Sequence, residues 1–304
     1  MPLGELLDET FKLYRRHFTL IAGVALAVVL PGLLLTLLSG AYRVNQLAYL
    51  TQVFQSVNDP AAFQAIQSRQ QQVLFSPLYW GSQGLEILLV PITLGAIYYA
   101  ATALAAGQAV TVVSVLLGTL RRYFGVLGTA ILSALPALGA VLVVGILVAV
   151  FALLHATALA VIVGILGGIA AVILLAWLGV RWTLAYAALM AERVNPWRAL
   201  GRSFELVRGS WWRTVGILLL VGILVSTIQF AVGALFTGVA ALVPGLNDDV
   251  RAAAVTVTSA LVSALVGVIS PIAVTMLYLD LRVRKEGVDL DQLARQTTPG
   301  AAPA

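Results

Sequence analysis

Between Arg122 and Arg181 the chain runs for 58 residues (123–180) without an Asp, Glu, Lys or Arg. As a single helix rising about 1.5 Å per residue, that stretch would be about 87 Å long, nearly three times a hydrocarbon core of about 30 Å. It therefore has to cross a bilayer, turn and cross back. The turn is expected at Leu154-His155-Ala156-Thr157, the one polar interruption, with the glycine-rich stretch from Gly164 to Gly168 as a second place for it. Four more charge-free stretches occupy 17–42, 87–120, 214–247 and 252–279. A charge at the bilayer centre costs about 2.5–3.5 kcal/mol on insertion scales, so each reads as one crossing. Six spans result, near 20–39, 85–106, 126–153, 158–181, 215–243 and 253–280.

Composition closes off the other solution. Apolar and aromatic residues make up 61% of the 304 residues and charged ones 10%, with a mean hydropathy of +0.99. An ordinary soluble domain carries about 45–50% and about 25%, and no core of its own could bury this much apolar surface. The fold class expected is an all-α integral membrane protein. Its six transmembrane helices form three hairpins, each preceded by a cytoplasmic amphipathic helix at the interface.

Orientation follows from the basic residues, which stay on the cytoplasmic side of short loops. With both termini inside, 15 of the 18 Lys and Arg residues face the cytoplasm, leaving Arg43, Arg69 and Arg251 outside. The expected location is a bacterial cytoplasmic membrane, crossed several times, with cytoplasmic N- and C-termini. The net charge of +5 then marks a face suited to anionic lipid head groups, and not to nucleic acid.

Each outward span follows a segment with helical apolar spacing. In GELLDETFKLYRRHF, Leu3, Leu7, Phe11, Tyr14 and Phe18 recur by three- and four-residue steps, opposite a charged face. In NPWRALGRSFELVRGSWWR, Trp197, Leu200, Phe204, Val207 and Trp211 fall together, away from Arg198, Arg202, Arg208 and Arg213. Asn195 followed by Pro196 is the cap and first turn of that helix. VTVVSVLLGTLRRYF is a weaker copy ending in Arg121 and Arg122. PITLGAIYY from Pro91 and PIAVTMLYL from Pro271 share Pro, Ile and Tyr at equal offsets. These similarities divide one six-span domain, 1–290, into units of 1–107, 108–191 and 192–288. Recurrence of apolar, aromatic and basic residues wherever a helix enters a membrane gives the same pattern without repetition. Asn58-Asp59-Pro60 reads as the start of a short outer helix, and 291–304 as a disordered cytoplasmic tail.

Chemistry is sparse. Glu86, Arg181 and Asp280 are the ionisable residues near the spans. They read either as a polar pathway, with Arg181 binding an anion or pairing with Asp280, or as helix ends reaching water, with Asp280 paired to Arg284 on its own helix. No metal site, cofactor motif or catalytic residue is expected, since His17 and His155 fall on opposite sides and no phosphate loop or nucleophile elbow is present. The expected binding set is Arg15, Arg16, Arg121, Arg122, Trp197, Arg198, Arg202, Arg208, Trp211, Trp212 and Arg213. Arginine forks there would take lipid phosphates while tryptophans anchor at head-group depth.

LGELLDETFKLYRRHF, NPWRALGRSFELVRGSWWRTVGILLL and YLDLRVRKEGVDL resemble a family of bacterial membrane proteins related to the membrane domain of glycerophosphoryl diester phosphodiesterase. The likeness runs from about Leu3 to Leu290 and rests on helix-entry and helix-exit patterns. It implies a membrane module without the metal-dependent barrel that performs catalysis in those phosphodiesterases. The function expected is therefore non-enzymatic: binding of inner-leaflet anionic lipid or a partner protein at the basic rim, with a homo-oligomer through a Gly-rich face also open. A small permease or lipid translocator with a pathway near Arg181 is the alternative.

Overall fold

A computed structural model describes residues 2–44, 61, 64, 68, 71, 72, 74–243 and 247–287, without the side chains of 43, 44, 240, 241 and 248. The expected start of a helix at Asn58-Asp59-Pro60 and the tail after Asp291 lie outside them. The described residues are helical, without strands. In chain order the helices are α1 (Leu3–Arg16), α2 (Phe18–Leu38), α3 (Pro77–Ala105), α4 (Val112–Leu120), α5 (Tyr123–Leu153), α6 (Thr157–Trp182), α7 (Ala185–Glu192), α8 (Pro196–Val207), α9 (Trp211–Leu242), α10 (Asp248–Gly267) and α11 (Ile269–Glu286). Six stretches are long and apolar enough to cross a membrane: Phe18–Leu38, Pro77–Ala105, Tyr123–Leu153, Thr157–Glu192, Trp211–Val239 and Asp249–Glu286. This is a polytopic, all-α membrane architecture, and the five charge-free runs make up most of the six stretches, the 58-residue run supplying two of them.

The 58-residue run turns where its polar interruption lies. His155 adopts a left-handed backbone (φ 55°) between α5 and α6, and the Gly164–Gly168 stretch is continuous helix. Gly164 faces Val148 and Gly167 faces Val144, so the numbers on one helix rise as those on the other fall. The two helices are antiparallel, and glycine lets them approach closely.

Burial is polarised along the bundle. The most apolar 18 residues of α5 are all unburied by protein and those of the α6 stretch only about 6% buried, while Val126 and Thr129 at the start of α5 are buried. The core gathers instead around α11, whose residues 272–278 are all buried, with the second half of α3, the starts of α5 and α9, and α1, α7 and α8 packed about it. Hydrocarbon covers side chains as well as protein does, so a long apolar helix needs no protein partner along most of its length. Only where the chain folds back on itself with polar helices must protein supply the burial.

The sixth apolar stretch is interrupted inside. Pro271 has no N–H to offer the carbonyl four residues earlier and its ring crowds that carbonyl, which belongs to Gly267, the last residue of α10. The chain breaks at Val268 and restarts as α11. Pro91 sits inside α3 without such a break.

Two amphipathic faces are shifted in part: Leu7, Phe11 and Tyr14 pack on the core and Leu200 and Val207 are buried as expected, but other positions differ. In α1 the buried residues are Leu6 and Thr10, while Leu3 and Phe18 are exposed. In α8 they are Ala199, Leu200, Ser203, Leu206 and Val207, while Trp197 is 74% exposed. Large apolar side chains locate the hydrophobic arc, but close helix contact selects small ones. These helices pack against protein, α1 on α11 and α8 on α7, α5 and α6.

Gly95 marks a close approach of α3 to its neighbours. A Cβ there would lie 2.7 Å from the Thr119 methyl, 3.1 Å from Val126 and 3.2 Å from Met190. Gly95→Ala is expected to lose up to about 2 kcal/mol, because overpacking of about 1–3 kcal/mol offsets and exceeds the gain in helix propensity of about 1 kcal/mol. Gly139→Ala, whose Cβ meets nothing within 4 Å, is expected to be neutral or stabilising. Thermal unfolding of both variants in detergent checks the contrast.

Candidate functional site: the charged end of the bundle

The charged residues converge because the chain reverses sharply after α6. Ser203, fully buried in α8, donates to the Arg181 carbonyl (2.6 Å) and accepts from the Leu184 amide (3.1 Å). It thereby holds the turn at which α6 gives way to α7. Arg193 then takes a left-handed conformation (φ 55°) that ends α7, and Asn195 Oδ1 accepts from the Arg198 amide (2.9 Å) to start α8, with Pro196 in its first turn as expected. This tight return brings Glu192, at the end of α7, opposite Arg202, ten residues later in α8.

Arg202 Nε donates to both Glu192 oxygens (3.0 and 3.1 Å), and the same guanidinium pairs with Glu286 of α11. Tyr278 Oη donates to Glu192 Oε1 (2.7 Å), and Arg282 Nε donates to Glu286 Oε2 (2.9 Å). Tyr278–Glu192–Arg202–Glu286–Arg282 is thus a continuous chain of charge-assisted hydrogen bonds joining α7, α8 and α11. A second group joins α9 to α11. Arg213 lies 2.7 Å from Asp280, whose side chain is 4% exposed, and Arg284 donates to both Asp280 oxygens at 3.1 Å. Lys285 caps α8 by donating to the carbonyls of Glu205 and Arg208. Arg122 does the same for α7, donating to Leu189 (3.2 Å) and Met190 (2.9 Å), and complements the negative end of that helix. Burial lowers the Arg122 pKa from its ordinary value, and nearby Arg193 adds to the effect.

The pairing of Arg181 with Asp280 does not form. Asp280 has Arg284, as the alternative held, and also Arg213, 67 residues away in sequence. The Arg181 guanidinium lies 4.4 Å from the Trp177 ring centre and 4.1 Å from that of Phe204, and its buried Nε has no hydrogen-bond partner among the described residues. Two aromatic faces hold this cation in place of a carboxylate. Glu86 is exposed on α3.

The expected binding set divides in two. Arg122, Arg202 and Arg213 bond to protein, and Trp211 packs on the core with its buried Nε1 unpaired. Arg15, Arg16, Arg121, Arg198, Arg208, Trp197 and Trp212 are exposed. Arg15 and Arg16 belong to a groove of about 530 Å³ at the entry to α2, lined by Glu9, Lys12, Leu13, Arg15, Arg16, His17 and Leu104. Lys12 pairs there with Asp8 (2.8 Å) and Glu9 (3.1 Å), and hydrogen bonds to these carboxylates raise its pKa. With Lys12 engaged by those carboxylates, Arg15 and Arg16 over a floor of two leucines fit an anion attached to hydrocarbon.

Sequence reading missed Glu192, Ser203, Tyr278 and Glu286. The signal for Ser203 was a small polar residue on the apolar side of an amphipathic helix. Comparison with known proteins adds no relative: no family model, no curated protein and no solved structure matches this chain.

Proposed function

We propose that this is a non-enzymatic protein of a bacterial cytoplasmic membrane that binds inner-leaflet anionic lipid at its basic end, with both termini cytoplasmic. The basic groove at the α1–α2 junction carries the reading. It combines Arg15 and Arg16 with an apolar floor at the point where the most N-terminal span begins. The exposed Trp197, Arg198, Arg208 and Trp212 extend the same chemistry around the rim. The internal ion pairs of Arg202 and Arg213 fix the shape of that rim, and the exposed arginines make the contacts. The similarity of Pro91–Tyr99 to Pro271–Leu279 supports a relation between the first and third units, and the fourth span shows no such match. Tyr98 and Tyr278 occupy equal offsets, both are buried, and both meet α7, through Tyr186 and Glu192 respectively. The resemblance to the membrane domain of glycerophosphoryl diester phosphodiesterase points to the same kind of module.

Arg15→Gln with Arg16→Gln is expected to weaken retention of phosphatidylglycerol or cardiolipin about 30-fold. Each basic residue near an anionic surface contributes about 1 kcal/mol, and about 2 kcal/mol corresponds to that factor. Native mass spectrometry of protein extracted with its lipids measures this. An unchanged preference over phosphatidylethanolamine would remove the proposal and leave the rim to a partner protein or a second copy.

A further inference from the structure

Where the α5–α6 pair leaves the core, it encloses a cleft of about 340 Å³ with α3 and α7. Tyr98, Ser133, Leu175, Leu178, Gly179, Trp182, Thr183 and Tyr186 line it. Leu175 is seven residues before the end of α6 and Ser133 ten residues after the start of α5. The cleft therefore reaches about 10–15 Å along the helices from their charged ends. Tyr98 is more than nine-tenths buried, its ring stacks on Tyr186 at 5.6 Å, and its hydroxyl has no hydrogen-bond partner among the described residues. A phenol hydroxyl without a protein partner that opens on a cleft at membrane depth is poised to donate to whatever occupies it.

We propose that this cleft binds the ester-carbonyl head of an uncharged diacyl lipid, chemically a diacylglycerol, with Tyr98 Oη as donor to a carbonyl. Three features select that class. No Asp, Glu, Lys, Arg or His lines the cleft, so a charged head group would enter without a counter-ion. The hydroxyls of Tyr98, Tyr186 and Thr183 and the indole N–H of Trp182 are donors suited to carbonyl oxygens. The volume is at the small end of ligand cavities and holds a polar head without its chains. The chains have a surface to follow, since the most apolar 18 residues of α5 are unburied by protein. This site is separate from the basic groove and does not depend on it.

Photolabelling in phosphatidylcholine nanodiscs, with a diazirine-bearing diacylglycerol as the probe, tests the proposal. Two variants leave the fold intact. Tyr98→Phe keeps the ring, and Gly179→Leu places its Cβ where nothing lies within 4 Å and fills the cleft. Labelling is expected to map to peptides around Tyr98, Ser133 and Trp182 and to fall about five-fold in Tyr98→Phe, the equivalent of one neutral hydrogen bond. In Gly179→Leu it should be lost, while Arg15→Gln with Arg16→Gln leaves it unchanged. Excess unlabelled diacylglycerol should compete and excess phosphatidylglycerol should not. Labelling retained in either cleft variant, equal competition by phosphatidylglycerol, or label spread along all of α5 and α6 as for annular lipid would each overturn it.

Discussion

Replacing Arg202 by Gln is expected to destabilise the folded protein by about 3 kcal/mol, at the lower end of the range for breaking a buried ion pair. The side chains of Arg202, Glu192 and Glu286 are 27%, 15% and 26% exposed, so water screens them only in part. Without Arg202, two carboxylates lose their shared cation. Each retains one partner, Glu192 in Tyr278 and Glu286 in Arg282, and that places the loss at the lower end. The double replacement Arg202→Gln with Glu192→Gln should recover part of the loss, because it removes an uncompensated charge together with its partner. Equilibrium unfolding in detergent across this cycle measures the coupling. If Arg202→Gln changed lipid retention while leaving stability untouched, Arg202 would be a lipid ligand and its role as a strut between α8, α7 and α11 would be wrong.

Asp280→Asn should have an effect of similar size, again about 3 kcal/mol. The carboxylate is 4% exposed and faces Arg213 of α9 and Arg284 of its own helix. An amide removes the negative charge that both arginines face, and Arg213, at 30% exposure, cannot turn fully to water. The partner makes the test specific. A double-mutant cycle between Asp280 and Arg213 is expected to give a coupling of about 1–3 kcal/mol, and the same cycle between Asp280 and Arg181 a value near zero. A large Arg181 coupling would restore the pairing that sequence position had suggested and contradict the aromatic environment of Arg181.

Some of this was legible from residue order alone. The distribution of charges located all six crossings, because the cost of placing Asp, Glu, Lys or Arg in hydrocarbon acts on each segment by itself. His155 was recognisable as the turn of the longest run, and Asn195-Pro196 as the start of α8, because capping and turn formation are local. Asp280 with Arg284 was likewise within reach, being one helical turn apart.

The contacts across the fold were not. Charge-free stretches show where helices meet oil and say nothing of which ends meet each other. Which arginines face a membrane and which face a carboxylate depends on helix rotation, as Trp197 turned outward and Ser203 turned inward make plain. Glu192 and Arg202 became partners through a left-handed turn at Arg193, and Arg213 and Asp280 through the docking of α9 on α11. The amino-acid sequence by itself determined the solvent of this protein, since transfer into hydrocarbon is nearly additive over residues. Only the tertiary structure decided the wiring of its polar end and the cleft beside Tyr98, since ion pairs and cavities depend on distances between segments far apart in the chain.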